Sequence, residues 1–123
     1  METHCKPNGV GLARLRNAAV CSRNGLIYIW KNEAAFRQET LLCLVLVPLA
    51  LFLGGNGSER ALLIGFLLLV LVVEIVNSAI ECVIDRIGPE QHALSGAAKD
   101  LGSTAVAMAL GITGIVWALV LWH

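Results

Sequence analysis

The sequence predicts an all-α membrane protein, with three transmembrane helices preceded by an amphipathic surface helix. Three observations predict it. The chain of 123 residues is 57% hydrophobic and only 15% charged, whereas soluble domains run about 45–50% apolar and about 25% charged. Three separate apolar stretches stand out, Leu41 to Leu53, Ala61 to Val73 and Ala105 to Trp122. The basic residues are segregated, with Lys6, Arg14, Arg16, Arg23, Lys31 and Arg37 all preceding the first stretch. The formal net charge is zero, which leaves no electrostatic case for a nucleic-acid partner. One domain is the natural count at this length. No signal-peptide pattern is evident, because the first apolar run begins only near Leu41.

Residues 1–11 read as a tail. Residues 12–31 set Leu12, Leu15, Leu26, Ile27 and Trp30 against Arg14, Arg16 and Arg23, a pattern that fits a helix lying on the inner leaflet. A span needs about 20 residues of helix, so each apolar core must extend beyond its limits. The first span is expected over 34–54, with Pro48 inside it. Gly54-Gly55-Asn56-Gly57-Ser58 forms a turn with Ser58 as candidate N-cap. The second span is expected over 59–87 and stops at Gly88-Pro89. After a polar link through Glu90, Gln91 and His92, the third span is expected over 95–122, capped by Ser95. Cys5, Cys21, Cys43 and Cys82 make no C-x-x-C pair and read as small hydrophobes or free thiols.

The positive-inside rule places the N-terminus in the cytoplasm, the Gly54–Arg60 turn outside, the 85–100 link inside and the C-terminus outside. Eight of the nine basic residues then lie inside, with Arg60 the exception. Trp117, Trp122 and His123 suit the outer interface.

The second span carries Glu74, Asn77, Ser78, Glu81 and Asp85. At 100° per residue they share an arc of about 100° on an otherwise apolar helix. An acid near the bilayer centre costs about 2.5–3.5 kcal/mol on insertion scales, so this stripe must face protein or water. Glu74 lies 13 residues after Ala61, about 20 Å along the helix. The stripe therefore runs from inside the inner leaflet to the cytoplasmic surface, where an aqueous reagent meets a lipid headgroup. Asn32-Glu33 through Glu39 before the first span and Lys99-Asp100-x-Gly102-Ser103 at the start of the third reach the same level, with Lys99 and Ser103 on one face. Neither G-x-x-x-x-G-K-[ST] nor G-x-G-x-x-G occurs. A nucleotide would have to be held through Mg²⁺ on carboxylates together with a lysine. A small proton- or cation-coupled transporter also uses an intramembrane Glu, but here the acids gather at one end of the span. A structural subunit of a larger membrane complex is a third reading.

Asn32-Glu-Ala-Ala-Phe-Arg-Gln-Glu39, Glu74-Ile-Val-Asn-Ser-Ala-Ile-Glu81 with Asp85-Arg86-Ile87-Gly88, and His92-x-Leu-Ser95-Gly-x-Ala-Lys99-Asp100-x-Gly-Ser103 occur in this order. Together these segments resemble the small integral-membrane diacylglycerol kinases of prokaryotes, and the resemblance covers residues 12–122. The Asn32–Glu39 segment favours the Gram-negative diacylglycerol branch over the related undecaprenol kinases. The resemblance implies a multi-pass protein of the bacterial inner membrane, with a cytoplasmic N-terminus, a periplasmic C-terminus and its active site at the cytoplasmic interface. It implies a homotrimer with shared sites, MgATP as donor and diacylglycerol as acceptor. Glu33 and Glu81 are then the expected Mg²⁺ ligands and Glu74 the base. Asn77 positions the reacting groups, Lys99 neutralises the γ-phosphate, and Asp100 joins their network. Glu90 and His92 border the nucleotide base. Arg14 touches nucleotide and lipid, Glu39 lies on the lipid access path, and Ser103 is a further lipid contact. Cys21 stands beside the nucleotide where the family commonly has an aromatic, and Asn17 where it commonly has a basic residue.

Overall fold

The computed structural model describes residues 8–90 and 92–122. Of the positions singled out above, Cys5, Lys6, Gln91 and His123 lie outside them. The described residues form four helices, α1 (Leu12–Asn32), α2 (Ala34–Leu53), α3 (Gly57–Ile87) and α4 (Ala93–Leu121), and no strand. The last three are long and apolar enough to cross a membrane. The chain divides into two compact units, Met1–Ala34 and Ala35–His123. The first contains α1, whose Leu12, Leu15 and Leu26 are exposed along with Arg14, Arg16 and Arg23.

In the second unit α3 and α4 form the principal antiparallel pair. Two hydrogen bonds set their register. Trp117 Nε1 donates to the Leu63 carbonyl at 3.1 Å, and Thr113 Oγ1, which bonds the Ala109 carbonyl of its own helix at 2.7 Å, shares its proton with the Phe66 carbonyl at 3.2 Å. Each ties an α4 side chain to the α3 backbone, a contact that keeps polar groups satisfied inside the bilayer. The buried apolar residues of α3, Leu63, Leu67, Val70 and Ile84, line the packed face. Against the same helix, α2 presents Cys43, whose Sγ approaches the Leu67 carbonyl at 3.9 Å. Pro48 is carried within α2 without ending it.

The turn between α2 and α3 closes on itself. Asn56 is the N-cap of α3, and its side chain accepts from the Glu59 amide at 2.9 Å. Glu59 reaches back to accept from the Gly55 amide at 2.6 Å. This reciprocal arrangement, in the manner of a capping box, corrects the expectation that Ser58 caps the helix: Asn caps as well as Ser, and Glu59 stands three residues beyond Asn56. Arg60 Nε donates to the Leu51 carbonyl at 3.1 Å, satisfying an end carbonyl of α2. Gly54 makes room for that arginine, since a Cβ there would lie 2.5 Å from Arg60 Cγ.

At its C-terminal end α3 stops at Gly88, whose φ of 146° is closed to most side chains. The N-cap of α4 is His92 rather than Ser95. Its Nδ1 accepts from the Leu94 amide at 3.0 Å, so the helix starts two residues earlier than expected. An unprotonated ring nitrogen serves here in place of a hydroxyl. With 31 residues, α3 is about 46 Å long against a hydrocarbon core of about 30 Å. Its apolar run begins near the α2–α3 turn, so its polar residues gather toward the end at Gly88.

Candidate active site

The acidic face of α3 is graded by burial. Glu74 is 6% exposed and Ser78 5%. Asn77 and Glu81 are half-buried. The Asp85 side chain is 71% exposed. A single helical face thus carries carboxylates from the packed interior to the surface, as its 100° spacing requires. Between Glu74 and Asp85, Asn77 Nδ2 donates to Glu81 Oε1 at 3.4 Å, one turn along the helix.

Opposite the deep end of this face, the Glu39 carboxyl of α2 lies against Glu74. The sequence placed both acids at one level but gave no sign that they would meet. Three polar atoms in this region are buried without a hydrogen-bond partner among the described residues: Glu39 Oε2, Thr40 Oγ1 and Asn77 Oδ1. Buried polar groups are ordinarily paired, so a seam holding three open acceptors has unused capacity for protons or cations.

At the shallow end, a cavity of about 620 Å³ opens between the end of α3 and the start of α4, lined by Asp85, Gly88, Glu90, His92, Ser95 and Lys99 among others. Lys99 Nζ contacts Asp85 Oδ1 at 3.3 Å, with both side chains substantially exposed. The start of a helix favours anions, and Lys99 adds a cation to the same wall. Asp85 has no assigned part in the sequence reading, although it lies on the acidic face and i,i+4 spacing from Glu81 brings it to this level.

Of the other expected site residues, Asp100 and Ser103 are exposed on α4. The Asp100 backbone carbonyl accepts from Thr104 Oγ1 at 2.8 Å. Glu90 is exposed on the cavity wall, and His92 combines its place there with its cap. Arg14, Cys21 and Glu33 belong to the first unit. Arg14 is exposed on α1, and Glu33 is the half-buried C-cap of that helix. Cys21 is disulfide-bonded, which corrects its reading as a small hydrophobe or free thiol. Pairing depends on the separation of Cα atoms in space, and sequence spacing carries no information about that. Cys43 remains a thiol. Among the described residues, no three His, Cys, Asp or Glu side chains are gathered as a metal cluster. Glu81 still supplies the hard oxygen that Mg²⁺ takes, and that ion ordinarily keeps several waters and draws on substrate phosphates as well.

A multi-pass helical membrane protein with a buried-to-exposed acidic face leading to an interfacial cavity is the class that fold and site define. Within that class, the chain belongs to the prokaryotic diacylglycerol kinase family, whose sequence profile matches residues 20–121. It is 50% identical over 115 residues to the diacylglycerol kinase of Escherichia coli (strain K12), an alignment covering 94% of each chain. It is 50% identical over 112 residues to that of Haemophilus influenzae, covering 91% of this chain and 95% of the relative. With that of Pseudomonas aeruginosa it shares 47% identity over 111 residues, 90% of each chain. These relatives carry the name of a kinase, which answers the transporter and structural-subunit alternatives.

Proposed function

We propose that this protein transfers the γ-phosphate of MgATP to the hydroxyl of diacylglycerol, giving phosphatidic acid and ADP at the cytoplasmic face of a bacterial inner membrane. The observation that carries the reading is the graded acidic face of α3, with Glu74 buried, Glu81 half-buried and Asp85 on the wall of the cavity. Family membership and the names of the relatives supply the substrates.

Transfer is direct and in line. The lipid hydroxyl oxygen bonds to the γ-phosphorus as the bond from that phosphorus to the β–γ bridging oxygen breaks. The hydroxyl proton passes to Glu74, and the electron pair leaves with ADP. Glu74 is suited to this because its burial holds it where the lipid headgroup arrives. Glu33 and Glu81 would hold Mg²⁺, which would supply positive charge to offset that of the triphosphate. Lys99 adds a positive charge toward the γ-phosphate, and Asn77 orients the reacting groups. Asp100 supports Lys99, Glu90 and His92 border the base, Arg14 and Cys21 approach the nucleotide, and Arg14, Glu39 and Ser103 guide the lipid.

Residues 12–122 form the catalytic domain and 1–11 a tail. α1 lies on the inner leaflet with the N-terminus cytoplasmic and the C-terminus periplasmic. The exposed apolar residues of the spans, among them Leu44, Val45, Phe52, Leu101 and Met108, are more than three helices can cover for themselves. A homotrimer with shared sites accounts for part of that surface, and lipid for the rest.

The test is phosphorylation of diacylglycerol by the purified full-length protein in mixed micelles with labelled ATP and Mg²⁺. Labelled phosphatidic acid is expected, with no label left on the washed protein. Label retained on the protein overturns direct transfer. Faster labelling of undecaprenol than of diacylglycerol overturns the choice of acceptor.

A further inference from the structure

We propose that Gly102 of α4 is a positioning residue for this phosphoryl transfer: its bare Cα is the seat of the Asn77 amide, and through Asn77 it sets the Glu81 carboxylate. The inference rests on the kinase reading above and adds to it a residue with no assigned role.

Gly102 is buried while its neighbours Leu101 and Ser103 are exposed. A Cβ built on it would collide with Asn77 Oδ1 and lie 3.1 Å from Asn77 Cγ. The other glycines within α3 and α4 beyond the first residue, Gly65, Gly96, Gly111 and Gly114, would each accept a Cβ with nothing within 4 Å. Gly102 is therefore the one among these five whose missing side chain is required. Backbone conformation does not explain it, because the positive-φ glycines of the described chain are Gly9, Gly11 and Gly88. A glycine inside a helix weakens that helix, so its presence here needs a packing reason, and the Asn77 amide supplies one.

What Gly102 holds is otherwise loosely held. Asn77 Oδ1 is buried without a hydrogen-bond partner among the described residues. Among the described residues the amide has one hydrogen-bond anchor, the 3.4 Å bond from its Nδ2 to Glu81 Oε1, which is long for N–H···O. Contact with the α4 backbone, more than hydrogen bonding, thus fixes which way the amide points. The register that delivers Gly102 to Asn77 is set elsewhere on the same pair. From Leu63 to Asn77 is fourteen residues along α3, and from Gly102 to Trp117 fifteen along α4, so the Trp117 and Thr113 bonds to α3 carbonyls bring Gly102 level with Asn77.

The experiment is a double-mutant cycle on the full-length protein in micelles, with Gly102→Ala, Asn77→Ala and the double variant. The readouts are kcat, KM for each substrate and the dissociation constant of MgATP. Gly102→Ala is expected to lower kcat at least tenfold and to raise the Mg²⁺ concentration for half activity, with KM for diacylglycerol changed less than twofold. In the Asn77→Ala background the added Gly102→Ala is expected to change kcat and the MgATP constant less than twofold. That double variant fits sterically, because the new Cβ would lie 3.9 Å from Cβ of residue 77. This leg of the cycle decides the matter even where Gly102→Ala alone does not fold. Equal losses in both backgrounds overturn the proposal, since Gly102 would then act independently of Asn77. Wild-type kinetics in Gly102→Ala overturn it as well. A wild-type protein unable to phosphorylate diacylglycerol overturns the kinase reading first, so the two failures are told apart.

Discussion

The two ends of α3 treat their polar groups in opposite ways. At the N-terminal turn, Asn56 caps through the Glu59 amide, Glu59 returns to Gly55, and Arg60 takes the Leu51 carbonyl. These side chains spend their hydrogen bonds on the backbone within nine residues of themselves. Toward the C-terminal end, Glu39 lies against Glu74, Asn77 leaves its oxygen unpaired among the described residues, and Asp85 meets Lys99 only at an exposed surface. Both ends are rich in polar side chains, so composition does not separate them. The difference lies in whether the groups satisfy the chain itself or remain available to something else. Because a buried unpaired acceptor is costly, its persistence at one end marks that end as the one that meets ligands.

Substitutions at the two ends should therefore fail in different ways. The largest effect is expected from Glu74→Gln. Removing a general base costs about 10²- to 10⁴-fold in rate, and kcat should fall within that range while MgATP binding stays near wild type. Single-turnover rates and equilibrium nucleotide binding, measured on the same sample, check both halves. Unchanged kcat removes Glu74 from the chemistry. Next is Glu81→Gln, which keeps the shape of the side chain but not its charge. A rise of about tenfold in the Mg²⁺ requirement is expected, the lower end of what losing support for a metal site costs, together with a higher KM for ATP. A magnesium titration at fixed ATP measures it, and an unshifted curve assigns the metal elsewhere.

Most of the architecture was legible before any coordinates. Span lengths follow from hydropathy because the bilayer thickness is fixed, and the three membrane helices begin and end within two residues of expectation. The acidic face was legible because helical geometry converts spacing into direction. The helix caps were less so. Ser58 and Ser95 are good cap residues by type, but Asn56 and His92 took the positions because each begins its helix two residues earlier. Contacts between helices were not legible. Nothing in the spacing of Glu39 and Glu74, or of Asn77 and Gly102, indicates that these pairs meet. That depends on helix register, which is set by Trp117 and Thr113 donating to carbonyls of α3, and a carbonyl has no residue type to read. The disulfide at Cys21 was not legible either, because pairing follows the separation of Cα atoms in space and not sequence spacing.

Away from the acidic face the effects should be on stability alone. Asn56→Ala removes the acceptor for the Glu59 amide, and losing such a cap costs about 1 kcal/mol. Reversible unfolding in micelles should show that loss with kcat unchanged, and a drop in kcat at constant stability would erase the distinction between the two ends.

The smallest effect is expected from Trp117→Phe, which keeps a smaller aromatic ring at the position but removes the donor to the Leu63 carbonyl. Interhelical hydrogen bonds in membranes average about 0.6 kcal/mol, and the Leu63 carbonyl keeps its own helical partner, so the change should be near that value. It is also the sharpest test, because Trp117 sets the register by which Gly102 reaches Asn77. If the bond only adds stability, kcat stays at the wild-type value. If the α3–α4 register is held mainly at this point, kcat falls together with a higher Mg²⁺ requirement, the pattern expected of Gly102→Ala. The kinetic signature of a residue fifteen positions from the seat it aligns would then show that the quiet end of the helix pair sets the geometry of the reactive one.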